Sequence, residues 1–409
     1  MEFLLAFRQW YHNNMQNTRK TLIISVIVII VAVAALIILF GRKKSENGGS
    51  TFLGRLFPQS ETVVEQPPEI PPELLTSTET QEPSLNPATA QNLPPGTLIR
   101  LSSDNVSSLA ITGTTTKYHK NTAENLGHLF ERLADGSNEE RRVSNFTIPK
   151  ILRVVWSPDA RRAVIFYNLN EEIRKILVDY TETTPKTNFL PDTISAVAFS
   201  PDSKSITFIN SFEETHNIFT ASSSFGNQKK ILDNNIPGLE ISWPAANIIA
   251  LKTKSSQDDP GFLYTITASG NKFQKVVEST GLDAMWNKDG SKIMYTDFNL
   301  NLFYLNTKTG EQKGLSLKTV AEKCVFSAKS DVVYCAIPKT VSKNMNSDKW
   351  WQGKIAFTDS IAGINLSNLE LVFFAQTQSD ATNPVLLEND TYLLFKDRST
   401  GELWSLKLK

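Results

Sequence analysis

Histidine, cysteine and any surplus of charge are scarce in this sequence of 409 residues. Its 42 Lys and Arg are balanced by 42 Asp and Glu. Nucleic-acid binders normally gather a basic surplus on one face, so no nucleic-acid partner is expected. Two cysteines exclude both a disulfide-stapled miniprotein and a four-thiolate zinc site. The four histidines are His12, His119, His128 and His216, and neither His119 nor His128 has a second obvious ligand beside it in the sequence. No metal site and no cofactor is therefore expected. The Gly-x-Ser-x-Gly elbow, the His-Glu-x-x-His helix and the phosphate-binding glycine loop are missing as well, which favours a protein that is not an enzyme.

Charge and proline are also missing from one long stretch, Thr21 to Phe40 (TLIISVIVIIVAVAALIILF). Twenty helical residues span about 30 Å, the thickness of a hydrocarbon core, so residues 21–40 are expected to be a single transmembrane helix with the lipid bilayer as partner. The run exceeds the apolar core of a signal peptide and continues into Phe40-Gly41-Arg42-Lys43-Lys44, not into a small-residue cleavage site. In residues 1–20, Phe3, Leu4, Phe7, Trp10 and Tyr11 fall at helical spacing. That pattern suits a short interfacial helix, the alternative being an unstructured terminus with a few aromatics. Residues 41–96 are expected to be a flexible acidic linker. From Ser45 to Gly96 there are nine prolines and seven glutamates against one basic residue, Arg55, too little apolar surface to offset the entropy of ordering.

Residues 97–409 repeat. Aromatic residues that precede turn signals recur at Trp156, Phe199, Trp243, Trp286 and Phe326, in steps of 43, 44, 43 and 40 residues. At Trp156-Ser-Pro-Asp159 and Phe199-Ser-Pro-Asp202 the proline ring presets φ for a type I turn and the aspartate accepts backbone N–H groups. An apolar, β-branched strand follows each turn, with two more strands behind it. A period of about 40–45 residues fits one four-stranded propeller blade. Counting an early unit at Val106–Thr147 and a final unit with three clear strands gives an all-β, seven-bladed propeller, with six blades as the alternative. The fourth strand of the last unit is expected from Thr97–Leu101, so that both ends of the domain close one blade.

The aromatic-Ser-Pro-Asp turns resemble the TolB-type, WD-repeat-like propeller repeat of bacteria. The resemblance covers residues 97–409 and is clearest at Trp156 and Phe199; Trp243 is followed directly by Pro244, and Phe326 lacks the proline. The order of anchor, spacer and propeller is similar to that of uncharacterised bacterial membrane-anchored propeller proteins. This implies fold and surface display. It implies no activity, because propellers host many functions.

Basic residues flank the apolar run on both sides, Arg8, Arg19 and Lys20 before it and Arg42, Lys43, Lys44 and Arg55 after it, which slightly favours a cytoplasmic propeller. The cysteines point the other way. Cys324 and Cys335 stand on either side of a turn near Lys329-Ser330, where a hairpin would set them opposite one another within reach of a disulfide; the alternative is two buried thiols. An extracytoplasmic propeller is expected on that basis.

The most distinctive feature is the insertion from Pro338 to Ser360, with Lys349-Trp350-Trp351-Gln352-Gly353 and Asp359. Lys349, Trp350, Trp351, Gln352 and Asp359 are the candidate ligand contacts, since paired tryptophans offer large area to side chains or sugar rings. The alternative is that the tryptophans pack onto the blade and hold the loop. The expected function is a single-pass membrane-anchored, extracytoplasmic binding or scaffold module for a protein, a peptide or a cell-envelope glycan. The alternatives are an envelope enzyme acting on glycans through carboxylates at the channel, or a structural subunit of an envelope complex.

Overall fold

The computed structural model describes residues 93–409 apart from positions 125, 145 and 183. The expected N-terminal segment, transmembrane helix and all but the end of the linker lie outside the described residues. Among the described residues, no helix is long and apolar enough to cross a membrane.

The repeat unit of about 43 residues becomes a four-stranded antiparallel sheet, and there are seven of them. After β1 (Leu98–Ser102), blade 1 comprises β2 (Val106–Thr112), β3 (Thr115–Lys120), β4 (Leu129–Leu133) and β5 (Arg141–Arg142). Blade 2 is β6 (Ile151–Trp156), β7 (Arg162–Leu169), β8 (Glu172–Asp179) and β9 (Lys186–Leu190). Blade 3 follows as β10 (Ile194–Phe199), β11 (Ser205–Phe212), β12 (Thr215–Ser222) and β13 (Lys229–Leu232). Blade 4 has β14 (Glu240–Ala245), β15 (Ile248–Lys252), β16 (Pro260–Ile266) and β17 (Gln274–Thr280). In blade 5 the strands are β18 (Asp283–Trp286), β19 (Lys292–Thr296), β20 (Asn301–Asn306) and β21 (Gln312–Lys318). Blade 6 holds β22 (Cys324–Phe326), β23 (Val332–Pro338), β24 (Asp359–Asn365) and β25 (Leu371–Gln376). Blade 7 combines β26 (Ala381–Leu386), β27 (Tyr392–Asp397) and β28 (Leu403–Lys407) with β1.

The first strands of the blades lie beside one another around the ring: β2 against β6, β6 against β10, β10 against β14, β18 against β22, β22 against β26 and β26 against β2. β1 pairs antiparallel with β28, Leu98 opposite Leu406 and Ile99 opposite Ser405. The ends of the described chain thus share one sheet, as the expected Thr97–Leu101 strand requires, and the alternative of six blades is corrected to seven. The fourth strand of blade 1 is short, only Arg141–Arg142. Val143 and Ser144 both donate to the Leu129 carbonyl, and the Ser144 hydroxyl then accepts the Phe146 N–H, so the chain leaves the ladder after Arg142.

The Ser-Pro-Asp motifs act as turns between the first and second strands. Ser157 Oγ donates to Asp159 at 2.6 Å and accepts the Arg162 N–H at 2.9 Å, and Ser200 repeats both bonds with Asp202 and Ser205. Asn287 takes the serine's role in blade 5, its Oδ1 accepting from the Lys292 N–H. Between blades, apolar side chains from neighbouring sheets form the core, for example Ile209, Ile218, Ile241, Trp243 and Leu251 where blades 3 and 4 meet. Blades 1 and 2 are joined by a polar knot as well: buried His119 bonds Tyr180 Oη at 2.9 Å and Ser108 Oγ at 3.2 Å, and Trp156 Nε1 donates to Ser108 at 3.0 Å.

Cys324 and Cys335 are directly paired across β22 and β23 and joined by a disulfide, with Cα atoms 4.0 Å apart. Ser327 N–H bonds the Val332 carbonyl, so alternation along the ladder makes 324/335 a close, non-hydrogen-bonded pair.

Candidate functional site

The insertion leaves β23 and returns into β24 at the face where the first strands begin. The chain enters β1 at the opposite face, because Leu98 lies beside the end of β28, which in turn lies beside the start of β27 and the end of β26. The insertion folds into one short helix, α1 (Ser347–Trp351), started by Asn346, whose side chain accepts the Lys349 N–H. It then fastens to three other blades. Ser347 N–H bonds Phe298 O in blade 5, Asp348 accepts the Gln257 N–H beside blade 4, and Trp351 O accepts from Arg398 in blade 7.

Its root is a buried ion cluster. Lys323 Nζ lies 2.7 Å from Asp359 and 2.7 Å from Asp380, all three side chains fully buried. Trp350, 1% exposed, donates its indole N–H to the other Asp380 oxygen at 2.9 Å. The Arg398 guanidinium sits 4.4 Å from the centre of the Trp350 ring, and the Lys323 ammonium 4.9 Å from that of Phe357. Asp359 also accepts the Ala381 N–H. Burial raises the Asp359 pKa to about 6, outweighing the pull of Lys323 and its hydrogen bonds.

The five candidate contacts therefore separate. Trp350 and Asp359 are buried and hold the insertion down; they do not face solvent. Lys349 Nζ donates to Asn344 O within the loop, and Gln352 is exposed at the end of α1. Trp351 is half-buried and walls a pocket of about 300 Å³ together with Glu240, Lys252, Lys254, Ser255, Leu282 and Glu322.

This pocket has charged groups at its base. Lys252 Nζ is 2.8 Å from buried Asp283 and 3.1 Å from Glu240. Burial alone would lower the Lys252 pKa, but Asp283 and Glu240 together raise it. The second Asp283 oxygen accepts the Glu322 N–H at 2.7 Å. Glu322 keeps solvent on one side, yet the protein crowding around it, with Asp283 adding repulsion, raises its pKa to about 7. Among the described residues no His, Cys, Asp and Glu side chains form a group of three or more that could hold a metal ion.

The ionic groups of this site, Glu240, Lys252 and Glu322 in the lining and Asp283 behind Lys252, were not among the sequence candidates. A signal for two of them exists. The residue three before the repeat aromatic is charged in four of the five aligned units, Arg153, Glu240, Asp283 and Lys323. In blades 4 and 5 that position opens the first strand, at the insertion-side mouth of the ring.

No family model and no curated protein matches this chain. Solved structures do. An oligogalacturonate lyase in complex with manganese is 12% identical with a TM-score of 0.55, covering 76% of this chain and 93% of its own. The fold is a WD-repeat-like β-propeller. A chain of the mitotic checkpoint complex matches this propeller at 10% identity and a TM-score of 0.50, over 77% of this chain and 92% of that one. TolB from Acinetobacter baumannii is 15% identical with a TM-score of 0.42, over 68% of this chain and 59% of that one. The propeller thus has an enzyme and a component of a protein assembly among its neighbours, and at these identities the likeness extends to the fold alone.

Proposed function

We propose that this protein is a membrane-anchored, extracytoplasmic binding module whose propeller takes its ligand at the insertion-side mouth of the ring. The observation that supports this most is the division of labour between adjacent tryptophans. Trp350 is locked in place by Asp380, Arg398 and a buried ion cluster, which leaves Trp351 as a rigidly held aromatic wall over a pocket that also holds Glu240, Lys252 and Glu322. Rigid aromatic anchors beside hydrogen-bonding groups are what recognition sites use. The membrane attachment follows from the twenty uncharged residues of Thr21–Phe40, and the Cys324–Cys335 disulfide favours an oxidising compartment.

A second reading is catalysis on an envelope glycan, favoured by Glu322, a carboxyl whose pKa is raised to about 7 beside the Lys252–Asp283 contact. That is the arrangement a general acid needs. The lyase neighbour shows that a propeller of this fold can carry an active site. Capture of a ligand from detergent-solubilised membranes by wild type but not by Trp351→Ala tests the binding reading, and equal capture by both contradicts it. Turnover of the captured glycan by wild type and its loss in Glu322→Gln would favour the enzyme.

A further inference from the structure

We propose that the pocket beneath Trp351 receives one ring of a neutral sugar, the indole stacking on the C–H face of the ring while Glu240, Glu322 and Ser255 accept hydrogen bonds from its hydroxyls. This rests on the reading of the insertion-side mouth as the ligand site and names the ligand's class.

Three features lead to it. The cavity, about 300 Å³, is at the small end of ligand pockets and suits one ring in preference to a folded peptide epitope. One wall is an indole, flat and apolar, held from behind by the Arg398 bond to its carbonyl oxygen and by the buried Trp350 next to it. The opposite wall carries two lysines, and the one at its base is already used: the Lys252 ammonium is shared between Asp283 and Glu240, and the remaining Asp283 oxygen is taken by the Glu322 N–H. Ser255 spends its hydroxyl proton on Leu282 O at 3.3 Å. The capacity left over is mostly for accepting hydrogen bonds, and a ligand that fits must bring donors.

Charge selects among donor-rich ligands. Glu240, Asp283 and Glu322 are offset by Lys252, Lys254 at the rim and Arg398 behind Trp351, so the site gains little from a cation. A uronate would set its carboxylate against Glu240 and Glu322. An uncharged polyol meets neither penalty. The elevated proton affinity of Glu322 is in keeping with this, because a protonated carboxyl donates to one sugar oxygen and accepts from a neighbouring hydroxyl.

The test is calorimetric titration of the full-length protein, in a zwitterionic detergent without a sugar headgroup, with chitotetraose, cellotetraose, tetragalacturonate and a lysine tetrapeptide. The expected result is binding of a neutral tetrasaccharide, weakened at least tenfold in Trp351→Ala and in Glu322→Ala with the melting temperature retained, and weak or no binding of the other two. Preference for tetragalacturonate or the lysine peptide overturns the inference, as does neutral-sugar binding that is unchanged in Trp351→Ala. If neither neutral sugar binds while membrane capture still depends on Trp351, the sugar inference fails and the binding site stands. If capture is also indifferent to Trp351, both fail.

Discussion

At the scale of single residues, buried charge and buried imidazole carry the sharpest consequences. Lys323 is shared between two fully buried aspartates, and removing the cation from such a cluster leaves uncompensated charge in a low-dielectric site. Lys323→Met is expected to lower unfolding stability by about 3–5 kcal/mol in denaturant titrations. A change below about 1 kcal/mol would mean that the cluster is not formed in solution. His119 is buried between Ser108 and Tyr180, and burial lowers its pKa to about 3. The unfolded chain therefore binds the proton more readily, so this contribution to stability is complete above about pH 6.5 and is lost as pH falls towards 3. His119→Gln should flatten the acid side of the stability curve in pH-dependent melts. The lone disulfide is open to a direct count: unreduced, denatured protein should yield no titratable thiol, and its reduction should cost about 2–3 kcal/mol.

At the scale of elements, the insertion and the turns separate what sequence can reveal from what it conceals. The Ser-Pro-Asp turns were legible because their chemistry is local. The proline ring, the aspartate carboxylate and the serine hydroxyl act within their own hairpin. What was not legible is that the fourth residue adopts a left-handed conformation, at φ 53° for Ala160 and 62° for Ser203, where blade 5 has Gly290 at 72°. Ala160→Gly should accordingly be neutral or stabilising by up to about 1 kcal/mol in thermal unfolding, whereas glycine inside most strands destabilises. The insertion announced itself through paired tryptophans, but their different fates depend on Asp380, Arg398 and Lys323, which are distant in sequence. Gly281 belongs to the same hidden set. Its φ is +60°, and a Cβ there would lie 2.4 Å from the Phe298 Cα and 2.7 Å from Ser347 Oγ, in the seat of α1. Gly281→Ala and Trp350→Ala should both loosen the insertion, the latter by about 3–5 kcal/mol, while Trp351→Ala should leave the melting temperature nearly unchanged. The outer edges add one more contrast. Six of the seven outermost strands carry Lys or Arg, but β25, Leu-Val-Phe-Phe-Ala-Gln, carries no charge and exposes Phe373 by 63%. Charged edges resist strand addition, so Phe373→Lys should reduce aggregation in light scattering on heating.

At the scale of the whole molecule, the blade count and the shared closing sheet were readable because a regular step of about 43 residues fixes how much chain each blade consumes. The pocket was not, because it is assembled from the opening of β14, the end of β15, the turn before β22 and a loop from blade 6. Only the charge three residues before four of the five aromatics hinted at it. The balanced overall charge conceals that concentration of ionic groups at one mouth, with Glu240, Lys252, Asp283 and Glu322 inside a few ångströms of hydrogen-bonding distance. The other mouth is lined by Trp243 at the end of β14 and by turn residues such as Pro158, Lys288 and Glu388, and no ion pair between them is seen among the described residues. The central claim is that ligand engages the insertion-side mouth and not its opposite. Photocrosslinking on membranes that carry the full-length protein tests this most directly, with the reactive group at position 352 beside Trp351 or at position 388 at the far mouth. A crosslinked ligand at 352 that disappears with Trp351→Ala, and none at 388, is the predicted result; crosslinking at 388, or at 352 without regard to Trp351, would contradict it.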